Sequence, residues 1–121
     1  MAGSGTPDVV VYHNPSCGTS RNTLALLREK GIEPQVVEYL KTGWTREQLQ
    51  DLLKRMAASA HEILRVRGTK AEELGLTDPT TSDEALIAAM IIDPALVNRP
   101  IVSTPKGAAL CRPAEIALTL I

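Results

Sequence analysis

The chain has 121 residues, 44% of them hydrophobic and 22% charged, and a formal net charge of -1. That length supports a single core, and the near-neutral balance argues against strong non-specific binding to nucleic acid or to a membrane surface. Tyr12, Tyr39 and Trp44 are its only aromatic residues, too few for a base-stacking surface, and no stretch approaches the roughly 20 apolar residues of a membrane-spanning helix.

Residues 1–7, with Gly3, Ser4, Gly5 and Pro7, read as a flexible leader. Asp8 to His13 is a near-continuous apolar run that predicts a strand covered on both faces. The polar turn Asn14 to Cys17 follows, and a helix runs from about Gly18 to Lys30 with Leu24, Leu27 and Ala25 facing inward and Gly31 at its C' position. Gln35 to Tyr39 is a second strand, which makes a right-handed strand-helix-strand unit with two parallel strands. Thr45 with Gln48 is a capping box for a helix carrying Leu49, Leu52, Leu53 and Met56. Ser59 with Glu62 opens a short helix to about Val66, with His61 on its surface. Lys70 to Leu74 reads as another short helix closed by Gly75. Thr81 and Glu84 start a longer one, striped with Leu86, Ile87, Met90 and Ile91 and stopped at Pro94. Ile101 to Thr104 and Ala108 to Cys111 flank Pro105-Lys106-Gly107 as an antiparallel hairpin, and Pro113 takes the first position of a last helix, Ala114 to about Leu120. The expected fold is an α/β mixed sheet of about four strands with flanking helices and a helical insertion over about 44–96.

Cys17 stands where a strand gives way to a helix. Unpaired N–H groups and the positive end of the helix dipole favour a thiolate there. His13 and Arg21, four residues to either side, are the nearest cations in sequence. Flanking Asn, Pro, Ser, Gly and Thr make a poor apolar pocket, so inert packing is the weaker alternative. Ser20 fills the fourth position of what would be a Cys-x-x-Cys pair, so no resolving thiol lies in the loop. Cys17, Cys111, His13 and His61 show no paired spacing, and no metal site is expected. A thiolate beside backbone donors suits a tetrahedral oxyanion.

His13-Asn14-Pro15-Ser16-Cys17-Gly18-Thr19-Ser20-Arg21-Asn22-Thr23 resembles the active-site segment of the glutathione- and glutaredoxin-coupled arsenate reductases. Ile63-Leu64-Arg65, Glu72 to Leu76, Asn98 to Val102 and Leu110 to Pro113 extend the match over roughly residues 8–121. The resemblance implies a thioredoxin-like fold over residues 8–121, with Pro100 as the cis-proline beside the cysteine turn. Its implied activity is arsenate reduction in arsenic detoxification, with Cys17 as nucleophile and His13 helping to depress its pKa. Arg65, Arg99 and Arg112 are the implied oxyanion-binding arginines. Arg99 and Arg112 each border a hairpin strand and precede a proline, which constrains both backbones near one end of the sheet.

Ser20, Arg21 and Pro100 are supporting residues in this scheme, with Arg67 as a further neighbour. The implied partners are arsenate, glutathione as co-substrate and glutaredoxin, with no bound cofactor. Two cysteines without a secretory signal suit a reducing cytoplasm. Cys111 admits three readings: a second redox thiol, a disulfide partner of Cys17, or, the preferred one, a packed strand residue. Two functions of other classes stay open: a non-enzymatic redox-responsive transcription regulator of the same fold, and a monothiol glutathione-dependent oxidoreductase.

Overall fold

The computed structural model describes residues 6–121. The first five residues of the expected leader lie outside them; Thr6 and Pro7 already belong to the first strand. The chain divides into two compact units, one made of the residues up to Thr42 together with Arg99–Ile121, the other of Gly43–Asn98. The stretch expected as a helical insertion falls in the second.

In the first unit, β1 (Thr6–Tyr12) leads through α1 (Gly18–Glu29) to β2 (Pro34–Val37), which pairs parallel with it at Val11 and Val36. β3 (Ile101–Thr104) and β4 (Gly107–Leu110) form the expected hairpin, and β3 runs antiparallel to β1 with Val102 opposite Val11. The sheet order is β2-β1-β3-β4. Leu24 and Leu27 of α1 meet Val9, Val11, Val102 and Cys111 in one aliphatic cluster, closed by Ala117 with Ile116 and Leu120 against it. Truncating a residue as central as Leu27 would cost about 3 kcal/mol, because it removes transfer energy and leaves a cavity.

Several expectations are corrected in this unit. Ala25 is exposed, since the inward stripe of α1 runs instead through Ser20, Thr23, Leu24 and Leu27. Val10 and Tyr12 are half-buried, so the second face of β1 is only partly covered. β2 stops at Val37, and Tyr39 opens a one-turn helix, α2 (Tyr39–Thr42), in which its ring is buried. The last helix is a 3-10 helix, Ala114–Leu120, with Pro113 as its cap rather than its first residue. Carbonyls at its end are drawn back to the hairpin, where Thr104 Oγ1 donates to Leu120 O at 2.6 Å and Lys106 Nζ to Ile121 O at 2.7 Å.

The second unit is built from α3 (Arg46–Met56) and α4 (Asp83–Ile92). The Thr45 box forms in both directions: Gln48 N–H donates to Thr45 Oγ1 at 3.1 Å, and Thr45 N–H donates to Gln48 Oε1 at 2.9 Å. Leu49, Leu52 and Leu53 are buried and Met56 is half-buried. The segment after Ser59 makes only a 3-10 turn, Ala60–Ile63, because the chain then extends so that Leu64 can bridge Val97. Lys70 to Leu74 is a single hydrogen-bonded turn, too short for a helix, though Gly75 (φ 72) closes it as expected. α4 is capped by Ser82, whose Oγ accepts from Ala85 N–H; Thr81 is not the cap, since its hydroxyl donates to Gly75 O. Leu86, Ile87 and Met90 are buried and Ile91 half-buried. His61 is half-buried, its Nε2–H donating to Thr81 O at 2.7 Å. Among the described residues no helix is long and apolar enough to cross a membrane.

Candidate active site

β1 ends at Tyr12, and His13 N–H continues its ladder to Val37 O at 2.8 Å. Pro15 then forbids further extension with a backbone donor, and the chain folds into a turn: Ser16 N–H donates to Asn14 Oδ1 at 2.9 Å and Cys17 N–H to Asn14 O at 3.0 Å. The turn delivers Cys17 as the N-cap of α1, with extended backbone (φ -97, ψ 121). No acidic residue occupies the first turn of α1, so nothing offsets its N-terminal N–H groups.

Two guanidinium groups from the other end of the unit's chain meet this cysteine. Arg112 follows β4, and its Nη1 lies 3.7 Å from Cys17 Sγ while donating to Arg99 O at 3.0 Å. Burial pushes the Cys17 thiol up, but the Arg99 side chain, the Ser20 backbone N–H and the Arg112 side chain outweigh it. The net result is a fall from the ordinary 9.0 to about 7. Arg99 and Arg112 are brought together by the hairpin: Cys111 N–H donates to Pro100 O at 2.9 Å, which locks the start of β3 to the end of β4. Both Arg99-Pro100 and Arg112-Pro113 are cis peptide bonds. Only the first was expected, and nothing in a lone sequence marks the second.

The other expected residues are placed differently. His13 is buried, and its Nδ1 shares a 2.6 Å hydrogen bond with Ser20 Oγ. Burial lowers its pKa below 6.5, with Glu38 opposing and Arg28 and Arg21 assisting, so at neutral pH it is an uncharged ring. The charge beside the sulfur comes from the arginines; His13 instead holds the serine whose N–H favours the thiolate. Arg21 reaches back from α1 and donates from Nη1 to Pro15 O at 2.8 Å, bracing the turn. Arg65 lies in the Gly43–Asn98 unit, where Nη1 donates to Asn98 Oδ1 and Nε to Arg67 O, each at 3.2 Å. Cys111 is a free thiol buried in the core cluster and pushed up to about 12 by burial, which fits packing rather than redox exchange. Among the described residues no cluster of three or more His, Cys, Asp or Glu is able to hold a metal ion. The bond between Ser20 and His13 had no signal in the sequence beyond the shared motif, because it spans the whole turn.

A cysteine capping the crossover helix after β1, with a cis-proline opening β3, defines a thioredoxin-like cysteine protein. The arsenate reductase from Vibrio cholerae has the same architecture, with a TM-score of 0.88 and 42% identity over 93% of this chain and 97% of that one. The chain belongs to the ArsC family, whose sequence model matches residues 12–120. It is 50% identical over 113 residues to the arsenate reductase of Rhizobium meliloti (strain 1021), covering 93% of this chain and 81% of the relative. It is 46% identical over 114 residues to that of Escherichia coli (strain K12), covering 94% and 81%.

Proposed function

We propose that the protein reduces arsenate to arsenite through a covalent adduct on Cys17. The observation that carries this reading is Cys17 at the start of α1 with Arg112 Nη1 3.7 Å from its sulfur and Arg99 beside it, an arrangement that lowers the thiol to about 7. Such a sulfur is about half ionised at neutral pH, against about 1% at the ordinary value. The thiolate attacks arsenic, a sulfur–arsenic bond forms, and an arsenate oxygen leaves as water after protonation. Arg99 and Arg112 hold the remaining oxygens through planar forks that suit a tetrahedral dianion. The resemblance adds Arg65 to this set, and substitution is its test. Ser20 and His13 support the thiolate, Arg21 braces the turn, and Pro100 positions Arg99.

Reduction from As(V) to As(III) needs two electrons, which two sulfurs supply by becoming a disulfide. Cys111 is buried in the core, so the sulfurs come from outside. Glutathione forms a second sulfur–arsenic bond with loss of water. A glutaredoxin thiol then attacks the glutathione sulfur: the sulfur–sulfur bond forms, the glutathione–arsenic bond breaks, and its electron pair stays on arsenic. Hydrolysis frees arsenite and restores Cys17. Residues 8–121 act as one catalytic domain with a helical insertion, without a resident cofactor, in a reducing cytoplasm. An assay comparing arsenate with a glutathione mixed disulfide, with and without glutaredoxin, tests the scheme. Arsenite formation dependent on both thiols is expected; turnover of the mixed disulfide alone would replace it with a monothiol oxidoreductase.

A further inference from the structure

Asn14 stands where β1 runs into the nucleophile's turn, and three of its groups are committed there. Its carbonyl accepts from Cys17 N–H at 3.0 Å, its Oδ1 accepts from Ser16 N–H at 2.9 Å, and its own N–H donates to Ser20 Oγ at 3.1 Å. The residue is itself buried. It therefore joins the turn that carries the sulfur to the buried serine whose backbone N–H faces it. Asparagine and aspartate build this kind of side-chain turn equally well, since each offers an oxygen that mimics a backbone acceptor. Turn chemistry does not choose between them, but charge does. A carboxylate one tight turn from an anionic nucleophile and a dianionic substrate would oppose both.

We infer that Asn14 is the positioning residue of the nucleophile: its amide oxygen shapes the turn that presents Cys17, and its neutrality keeps that turn fit to host an anion. The kinetic part of the inference rests on the arsenate reading; the electrostatic part does not.

The experiment follows ultraviolet thiolate absorbance against pH, thermal stability, and kcat and KM for arsenate in the parent, Asn14→Asp, Asn14→Ala and Asn14→Ser. Asn14→Asp keeps the acceptor and should melt near the parent. Its thiolate midpoint should rise by about one pH unit and its KM by about tenfold. Asn14→Ala adds no charge, so its midpoint should move less than half as far while kcat falls about tenfold as the turn loosens. Asn14→Ser retains a hydroxyl acceptor and should recover much of that loss. An Asn14→Asp protein with the parent's midpoint would overturn the inference, as would losses in all three variants that simply follow their melting temperatures. A shifted midpoint in Asn14→Asp with no arsenate turnover even in the parent would sink the arsenate reading and leave the role of Asn14 standing.

Discussion

Cys17 and Cys111 are identical side chains in the same compact unit, 8% and 0% exposed, yet their thiols lie at about 7 and about 12. Burial raises both, and it alone accounts for the direction at Cys111, but it cannot account for the fall at Cys17. The difference is what else each sulfur meets. Cys17 caps a helix with no carboxylate in its first turn and faces the guanidinium groups of Arg99 and Arg112. Cys111 packs among Val9, Val11, Leu24 and Leu27, with Ala109 O at 3.6 Å as a weak acceptor. A buried cysteine is thus reactive or inert according to the cations and N–H groups aimed at it.

The sharpest way to break this contrast is to remove each sulfur. Cys17→Ser should lower arsenite formation by at least about a thousandfold, since no other group can form the adduct. Cys111→Ala should stay within about twofold of the parent, because its sulfur is buried in the core cluster and held as a thiol. Comparable losses in the two variants would replace external thiols with an intramolecular disulfide cycle.

Arg99→Lys probes the cations. It keeps a charge but loses the fork, and kcat/KM for arsenate should fall by about a hundredfold; turnover near the parent's would remove Arg99 from the site. A stability titration sharpens the contrast further. Cys17 has a folded value below its ordinary 9.0, so its ionised form stabilises the fold fully above pH 9 and that contribution is lost as pH falls through about 7. The urea stability of the parent relative to Cys17→Ser should therefore rise by about 2 kcal/mol between pH 6.5 and pH 9, and a flat difference would mean that the sulfur is not held ionised. Cys111 has the opposite sign: its contribution is complete below 9.0 and disappears as pH rises through about 12. The smallest effect expected is the packing loss of Cys111→Ala, about 1 kcal/mol in urea denaturation at neutral pH.

Local pattern was enough to place Cys17 at a helix start. The apolar run Val9 to Val11, the Asn-Pro-Ser turn and the helical stripe of Leu24 and Leu27 each obey short-range rules, and together they put Cys17 at a strand-to-helix junction. The Thr45 capping box, the closing role of Gly75 and the Pro105-Lys106-Gly107 hairpin were legible for the same reason: their partners lie within a few residues. Where a partner outside the pattern intervenes, the local signal misplaces the boundary. Thr81 with Glu84 predicts the start of α4, yet the Thr81 hydroxyl donates to Gly75 O and Ser82, one residue on, is the cap. Likewise Lys70 to Leu74 has helical residues but room for one turn only.

The residues alone thus determined a strand-helix-strand unit, a hairpin and a cysteine at a helix start, because backbone preference and hydrophobic period act over short separations. Only the tertiary structure decided that β3 pairs antiparallel with β1, which carries Arg99 and Arg112 to a sulfur more than eighty residues earlier in the chain. It also decided that His13 is spent on Ser20 and stays neutral, and that Cys111 is sealed in the core. Charge and desolvation depend on distances between remote residues, and those distances exist only once the chain has folded.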